Sequence, residues 1–451
     1  MHKLKQLWNE LRSSLWFVPG LIVLGSIAIA FALIEVDSRI SREMLIKYPR
    51  LFGAGADGSR GMLTAIGGSM MTVAGVTFSL TLAALAQASS QYTPRILRNF
   101  MGDRANQVVL GSFVGIFVYC LVVLRTIRGG DEGVFVPSLS VVFAIFLAIV
   151  GIALLIFFIH HIALSIQASN LIASAAEETY AAIDRLFPQQ VGESSGDETE
   201  DAHAADELAN RSWHEIPSRA TGYVQSIDDE RMIELATEHD TVIQMECGIG
   251  AFVVENEPLT SLALNSAPDE KLIKRLNSIY TISRHRTVEQ DAAFGVRQIV
   301  DIALKALSPG INDTTTAVTC VDYLTSICAR LANRRLPERY RYHDENLRVI
   351  ARGATFESML DDSFDQIRES AEGNAGIIVR MLHGLKTVAR QTRSQDRLRH
   401  IAAHLERVES LASRSIKSPH DCERIKEAAR ELSIALNKRS DNQSTAKQVT
   451  A

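Results

Sequence analysis

Four long apolar runs near the start of the chain constrain its fold more than any other feature. They cover residues 15–34, 65–87, 108–124 and 141–159, and none of them contains Asp, Glu, Lys or Arg. A helix of about 20 apolar residues crosses the ~30 Å hydrocarbon core of a bilayer. We therefore predict four transmembrane helices, with the lipid bilayer as the first partner of the chain.

The first run also shares features with a secretory signal, because it follows a basic start and contains Ala28-Ile29-Ala30. It is, however, longer than the roughly 7–15 residues of a signal-peptide apolar region. Trp8 and Trp16 are typical of anchors at a membrane surface. We expect a retained helix that is not cleaved.

The orientation of the spans is not decided by charge. Four spans place both termini on one side, and the loops give each side seven Lys/Arg, so the positive-inside rule balances. The five cysteines are widely spaced and follow neither a disulfide framework nor a CxxC metal pattern. Unpaired thiols favour a reducing compartment. We expect a bacterial inner (plasma) membrane protein with both termini cytoplasmic.

The second span differs from the others in its small and polar residues. Gly67, Gly75, Ser79, Ala83 and Gln87 recur at multiples of four and share one helical stripe. Small residues let helices approach closely in lipid, and hydroxyls hydrogen-bond across the contact. The stripe therefore indicates either helix packing or the lining of a polar pathway. No span has an ionisable residue at its centre, which argues against a proton relay.

The rest of the chain has a different composition. The first 185 residues carry 14 Lys/Arg and 11 Asp/Glu, whereas the remainder carries 33 and 41. The fold class predicted is mostly α, with a four-helix transmembrane domain, a small β-module and a helical soluble domain. The predicted boundaries are 1–186 for the transmembrane domain, 187–212 for an acidic disordered linker, 213–265 for the β-module, 266–437 for the helical cytosolic domain, and 438–451 for a disordered tail.

Within the β-module, alternation predicts strands at 222–227, 241–246 and 251–254. Lipoyl and biotin carriers use a lysine at a hairpin tip, and there is no lysine between Asp240 and Glu270. We therefore expect no cofactor. Apolar periodicity after residue 350 predicts four helices near 354–371, 375–391, 394–413 and 419–437.

Polar residues flank the helix that is predicted after residue 287. The residues that form this corner are Arg286, Thr287, Gln290, Asp291, Gly310, Asn312 and Asp313. Thr287 and Gln290 fit a capping box at the start of the helix. Gly310 is expected to end it with a positive φ, and Asn312 or Asp313 is expected to cap the next helix. The corner is interpreted as two separate caps or as an anion site at the second helix start. The acids Asp361 and Asp362 are interpreted as solvated on a helix surface, and no metal site is predicted.

Several segments resemble one known family. They are Arg286-Thr287-x-x-Gln290-Asp291-x-x-Phe294-Gly295, the turn Ser308-Pro-Gly-Ile-Asn-Asp313, residues 89–95 and the Phe-Ile-His-His run that ends at His161. This pattern resembles the bacterial predicted-membrane-protein family called domain of unknown function 2254. The resemblance implies the same membrane architecture and supplies no activity. Thr314 stands where family members often have proline.

The predicted function is therefore stated by class. The net charge of −5 does not favour nucleic-acid binding. No Walker A loop or HExxH motif is present, so we expect no enzyme and no catalytic residues. One hypothesis is an oligomeric channel or transport protein with several copies around the second span. The alternative is a membrane-anchored regulatory or scaffold protein with a cytosolic interaction domain.

Overall fold

The computed structural model describes most of the chain. The described residues are 16–39, 55–91, 103–129, 135–165, 167–187, 212–336, 338–392 and 394–449, with backbone alone for 88–91 and 440–449. Residues 188–211 of the predicted acidic linker and residues 92–95 of the family resemblance lie outside them. Two compact units divide the chain at Leu171/Ile172, and each is described separately.

The first unit contains the four helices that are long and apolar enough to cross a membrane. They are α1 (Phe17–Arg39), α2 (Ala56–Gln91), α3 (Arg104–Thr126) and α4 (Ser138–Ser165). All four predicted spans lie within these helices, apart from residues 15 and 16 of the first. The prediction of four membrane helices is confirmed at the level of length and composition.

Helix α3 packs against the other three helices of this unit and forms its core. Gly111 and Gly115 allow α1 to approach closely, because a Cβ on Gly111 would lie 2.7 Å from the Cα of Pro19. A Cβ on Gly115 would lie 2.6 Å from the Ser26 hydroxyl. This is the small-residue spacing that lets membrane helices pack tightly. It occurs in the third span, whereas the sequence drew attention to the second.

Polar side chains tie the helix ends together. Asp37 at the end of α1 accepts hydrogen bonds from the backbone N–H groups of Leu139 and Ser140, both at 2.9 Å, and so caps α4. Asp103 caps α3 and lies 2.5 Å from the imidazole of His161. These carboxylates therefore accept hydrogen bonds from backbone N–H groups at helix ends and do not lie in the interior of the bundle.

The second unit begins with most of α5 (Ala168–Leu186). Helix α4 ends at Ser165, and α5 begins as a separate helix at Ala168. The Asn170 side-chain amide donates to the carbonyl of Leu164 at 2.8 Å. Side-chain hydrogen bonds of this kind compete with the helix ladder and favour an end.

Two sheets and eight further helices follow. They are β1 (Trp213–Pro217), β2 (Gly222–Ile227), α6 (Asp229–Glu238), β3 (Ile243–Met245), β4 (Phe252–Val253), β5 (Pro258–Ala263), α7 (Glu270–Ile279), β6 (Tyr280–Ser283), α8 (Ala292–Leu307), α9 (Thr314–Ala332), β7 (Tyr340–His343), β8 (Asn346–Ile350), α10 (Phe356–Ser370), α11 (Ala375–Gln391), α12 (Gln395–Ser415) and α13 (Pro419–Val449).

The larger sheet has the strand order β1-β5-β3-β8-β7, and the smaller one has the order β4-β2-β6. All pairs are antiparallel except β3 with β8. Strands β7 and β8 come from residues 340–350, where the sequence predicted no strand. The four C-terminal helices were predicted correctly, and α13 continues through Val449 into the segment predicted to be a disordered tail. No proline or glycine after Pro419 interrupts it.

Candidate functional site

The second unit contains a cleft of about 620 Å³. Its walls come from strands β3 and β8, from the N-terminus of α8, and from the loop that leads into α10. The volume lies in the range of roughly 300–1,000 Å³ that is typical of small-ligand sites. The side chains that supply its charge are Asp229, Glu246, Asp291, Glu338, Arg339, Arg341 and Arg352.

One corner of the cleft is fixed by an ion pair. The Arg286 guanidinium donates to both carboxylate oxygens of Asp291, at 2.7 and 3.0 Å, and also lies over the ring of Phe294. Asp291 in turn accepts from the backbone N–H of Phe294 at 3.0 Å and is the N-cap of α8. The predicted capping box of Thr287 and Gln290 was therefore wrong.

The reason is that Asp291 can cap the helix and pair with an arginine at the same time. Residues 288 and 289 form a turn before the helix, closed by the N–H of Asp291 on the carbonyl of Val288 at 3.2 Å. Gln290 then lines the cleft, where it has no role as a cap.

Gly250 packs directly against this ion pair. Its φ is +85°, and a Cβ there would lie 2.7 Å from Asp291 Oδ2 and 2.8 Å from an Arg286 nitrogen. Glycine adopts positive φ without steric cost, and the absence of a Cβ makes room for the pair. Nothing in the local sequence pattern indicates that Gly250 contacts this ion pair.

The carboxylates of the cleft are satisfied by neighbouring groups. Asp229 pairs with Arg341 at 2.8 Å. Glu246 accepts from Gln244 at 2.9 Å and from Ser261 at 2.7 Å. The two remaining acids pair with arginines outside this set, Asp291 with Arg286 and Glu338 with Arg335.

Two guanidiniums remain without a carboxylate partner in the part of the chain that the structure describes. Arg352 donates to the backbone carbonyl of Glu246 at 2.7 Å, and Arg339 lies over the ring of Tyr340. Ala292 and Thr355 at the starts of α8 and α10 also line the cleft. Helix N-termini and guanidiniums both favour anions. The arrangement can therefore bind a carboxylate or phosphate group.

The other half of the predicted corner lies at the far end of α8. Asp313 caps α9, as predicted, through the backbone N–H of Thr316 at 3.0 Å. The hydroxyl and backbone hydrogen bonds from Thr316 hold the pKa of Asp313 below its usual value. The prediction of positive φ at Gly310 was wrong, because Asn312 takes that conformation at +50°. Asparagine tolerates this region better than most residues.

The two halves are therefore separated by the 16 residues of α8, or roughly 24 Å. Gly310, Asn312 and Asp313 do not line the cleft, whereas Gln290 and Asp291 do. Within one chain, the seven residues of the predicted corner do not form one site.

The small residues of the second span divide between two environments. Gly67 is buried, and a Cβ on it would lie 3.4 Å from Cys120 on α3. Gly75, Ser79, Ala83 and Gln87 are exposed in the single chain. The Ser79 hydroxyl donates to the Gly75 carbonyl of its own helix at 2.9 Å. Gly67 therefore packs, and the rest of the stripe forms an uncovered face.

A separate polar cluster joins α10 and α12. Asp361 Oδ1 lies 3.1 Å from His400 Nε2 and 2.8 Å from His404 Nε2, and these three ligand atoms are close enough to hold one metal ion. Burial acts to raise the pKa of Asp361, but hydrogen bonds from Arg407 and His400 hold it below its usual value. The interpretation of Asp361 as a freely solvated acid was therefore wrong.

The side chain of its neighbour Asp362 is exposed, and partial desolvation raises the pKa of this carboxyl. The spacing of four between the two histidines was the available sequence signal for the cluster. Asp361 lies 39 residues before His400, and no local pattern connects them.

Comparison with known proteins gives a family and no activity. The family model described as "Predicted membrane protein (DUF2254)" matches residues 12–387. An uncharacterized protein of Mycobacterium bovis is 33% identical over 349 residues, which make up 76% of this chain and 65% of that protein. An uncharacterized protein of Mycobacterium tuberculosis H37Rv matches with the same values. The chain thus spans 65% of the length of these curated relatives. No solved structure matches it.

Proposed function

We propose that this chain, which belongs to the DUF2254 family of predicted membrane proteins, is a membrane-anchored regulatory protein whose soluble unit binds a small anionic ligand. The observation that carries this proposal is the cleft, where Arg339 and Arg352 have no carboxylate partner among the described residues. An arginine that is not already paired keeps its donors for a ligand oxygen. We propose binding and not catalysis.

The ligand class follows from the size and charge of the cleft. About 620 Å³ accommodates a molecule of the size of a nucleotide or a polycarboxylate. Two guanidiniums and two helix N-termini favour an anion with more than one charged oxygen. Met245, Ile249 and Ile350 supply an apolar wall for the uncharged part of such a ligand.

The test is a thermal-shift series on the full chain in detergent with inorganic phosphate, pyrophosphate, citrate and ATP. At least one of these anions should raise the unfolding midpoint of the wild type, because a ligand that binds the folded state stabilises it. Arg339→Gln and Arg352→Gln should each remove most of the shift. Arg424→Gln is the matched control, since Arg424 pairs with Asp421 outside the cleft. If no anion moves the midpoint, or if both cleft variants respond like the wild type, the proposal is rejected.

A second candidate is an oligomeric channel or transport protein, favoured by the uncovered face of α2. Among the described parts of the chain, no non-local atom lies within 4 Å of a Cβ built on Gly75, and Ser79 and Ala83 are exposed beside it. A homo-oligomer that brings copies of this face together would place hydroxyls and small residues around a shared axis. Both this assembly and a pathway along it are part of the second proposal.

Bilayer recording of the purified wild type with Gly75→Leu and Ser79→Leu tests that candidate. Val76→Leu is the control because Val76 is exposed on the same helix without belonging to the stripe. Conduction by the wild type that either stripe variant alters, and the control does not, supports a pathway. A wild type that is monomeric in detergent and never conducts removes it.

For localisation we propose the bacterial inner membrane with both termini in the cytoplasm. All five cysteines are free thiols, which suits a reducing compartment. Alkaline phosphatase fused after Ala451 should be inactive, and green fluorescent protein at the same position should fluoresce. The opposite pair of results would reverse the orientation.

A further inference from the structure

The cluster of Asp361, His400 and His404 has the ligand set of a transition-metal site. The two imidazoles are four residues apart on α12 and therefore lie on one face of the helix. Both turn Nε2 toward the same carboxylate oxygen on α10, at 3.1 and 2.8 Å, and the three ligand atoms lie within 4.8 Å of one another. Nitrogen and carboxylate ligands at this spacing are those that Zn²⁺ takes in proteins.

As a hydrogen-bond cluster alone, this arrangement is overcrowded. Three donors approach Asp361 Oδ1, because the Arg407 guanidinium lies 3.0 Å from it in addition to the two imidazoles. One carboxylate oxygen has about two lone-pair sites. Three full hydrogen bonds to it are therefore not available at the same time.

The inner imidazole is also left incomplete. The side chain of His404 is 0% exposed, and its Nδ1 atom has no hydrogen-bond partner among the residues that the structure describes. A buried polar atom without a partner costs about 1–3 kcal/mol. The nearest carboxylate oxygen to it is Asp365 Oδ1, at 4.0 Å. The ring is held in place by edge-to-face packing on Phe364.

A bound cation resolves both problems. Each Nε2 then gives its lone pair to the ion, and the proton of His404 moves to Nδ1, where it faces Asp365. A carboxylate behind a metal-bound imidazole is the usual outer partner of such a ligand. Arg407 keeps its contact with Asp365 Oδ2 at 3.0 Å, so that Asp361 is free to turn to the ion.

The geometry and the charge fit a divalent ion. Ligand atoms at bond lengths of 2.0–2.2 Å in a tetrahedron are about 3.4 Å apart, and the observed separations of 2.8 and 3.1 Å need only a small expansion. Asp361, Asp365 and Arg407 sum to one negative charge beside neutral imidazoles. Asp361 and His400 are partly exposed, which leaves a fourth position open to water.

We propose that Asp361, His400 and His404 form a binding site for one divalent transition-metal ion of the zinc type, with Asp365 as the outer partner of His404. This site is independent of the anion cleft. It links α10 to α12, so the ion would stabilise the contact between these helices.

The experiment uses the full chain in detergent, purified without a polyhistidine tag, stripped with EDTA and then freed of the chelator. Zn²⁺ is titrated by competition with a chromophoric chelator, and Co²⁺ is titrated by its visible absorption. The wild type should bind one ion per chain, with strong tetrahedral Co²⁺ bands, and Zn²⁺ should raise its unfolding midpoint.

Substitutions distinguish the residues that coordinate the ion from residues that only lie near it. His400→Gln and Asp361→Asn should weaken Zn²⁺ binding by more than about 100-fold, and Asp365→Asn by roughly 10–100-fold, the range for an outer partner. Arg407→Gln should tighten it by roughly tenfold, because a positive charge next to the ion is removed. His383→Gln, on the neighbouring α11, is the matched control and should bind as the wild type does.

His404 is fully buried, and His404→Gln is informative only if circular dichroism shows a folded chain. His400→Gln carries the test if it does not. A wild type that binds neither ion at one per chain overturns the proposal. Binding that stays within threefold in His400→Gln and Asp361→Asn overturns it equally.

Discussion

The packing of α5 on α8 requires that residue 295 has no side chain. A Cβ on Gly295 would lie 2.0 Å from the hydroxyl oxygen of Thr179 and 3.0 Å from its Cβ. Thr179 is 0% exposed, and its hydroxyl donates to the carbonyl of Ala175 at 2.6 Å. Rotation of the hydroxyl gives no relief, since the Thr179 methyl carbon is already 3.3 Å from the same point. The helices must therefore separate to admit even one methyl group.

We expect Gly295→Ala to lower the free energy of unfolding of the second unit by about 1–3 kcal/mol, which is the usual cost of overpacking a core. Helix propensity acts in the opposite direction, because alanine is favoured over glycine in a helix interior by about 1 kcal/mol. A net loss of stability is therefore specific to the contact and does not come from the helix itself.

The assay is urea unfolding of the full chain in detergent, followed by the fluorescence of Trp213. Trp8 and Trp16 are first replaced by phenylalanine, so that the remaining tryptophan reports on the second unit. Gly310→Ala is the matched control, because no atom of the described residues lies within 4 Å of a Cβ at that glycine. Its effect should stay within about 0.5 kcal/mol.

A double-mutant cycle with Thr179→Ala identifies the contact. Without the Thr179 hydroxyl, the cost of Gly295→Ala should fall by about 1 kcal/mol or more, as expected for residues in direct contact. The reasoning is refuted if Gly295→Ala is neutral or stabilising. It is also refuted if the cost is the same with and without the hydroxyl.

Three further predictions concern single side chains. Asp313→Ala should cost about 0.5–2 kcal/mol in the same urea assay, because it removes the N-cap of α9. Hydrogen bonding from Arg330 holds the pKa of Asp184 below its usual value. The contribution of Asp184 to the free energy of unfolding is therefore present above the unfolded pKa of about 3.9 and is lost as pH falls through the folded pKa. Asp184→Asn should therefore cost at most about 1 kcal/mol near neutral pH and nothing at low pH, as measured by unfolding midpoints across that range. Iodoacetamide at mildly alkaline pH should label the partly exposed Cys247 and Cys422 in the folded chain. Labelling of Cys247 should be slow because burial raises the pKa of its thiol. Mass spectrometry should find the three buried thiols labelled only after unfolding.

The parts of the fold that follow from local rules were predictable from the sequence. Long charge-free runs defined the membrane helices, and Asp313 before three threonines defined a helix start. The cap of α8 shows where such rules stop. By sequence pattern two caps are acceptable, either a capping box of Thr287 with Gln290 or Asp291 by itself. The choice between them depends on Arg286 and on the space that Gly250 leaves.

Contacts between distant segments explain the other features of the structure that the sequence did not predict. Strand β8 pairs in parallel with β3, about 100 residues earlier, and a five-residue strand carries too weak a periodicity to predict this. The metal-type cluster is similar, since the spacing of His400 and His404 is visible but Asp361 joins them only through the packing of α10 on α12. The uncovered face of α2 could not be predicted for the same reason. Gly67 and Gly75 belong to one sequence pattern, and their environments differ because α3 packs on Gly67.

The distribution of charged groups separates the two candidate functions. In the membrane unit, Asp37 and Asp103 lie at helix ends and are used to cap helices, and no ionisable residue lies at the centre of a span. The proposed conduction would therefore depend on the α2 faces of several copies. In the second unit, Arg339 and Arg352 retain donors in a cleft that is already formed. Binding of an anion thus needs one chain, whereas conduction needs an assembly. A monomer that binds anions would support the proposed regulatory function and would argue against the proposed channel.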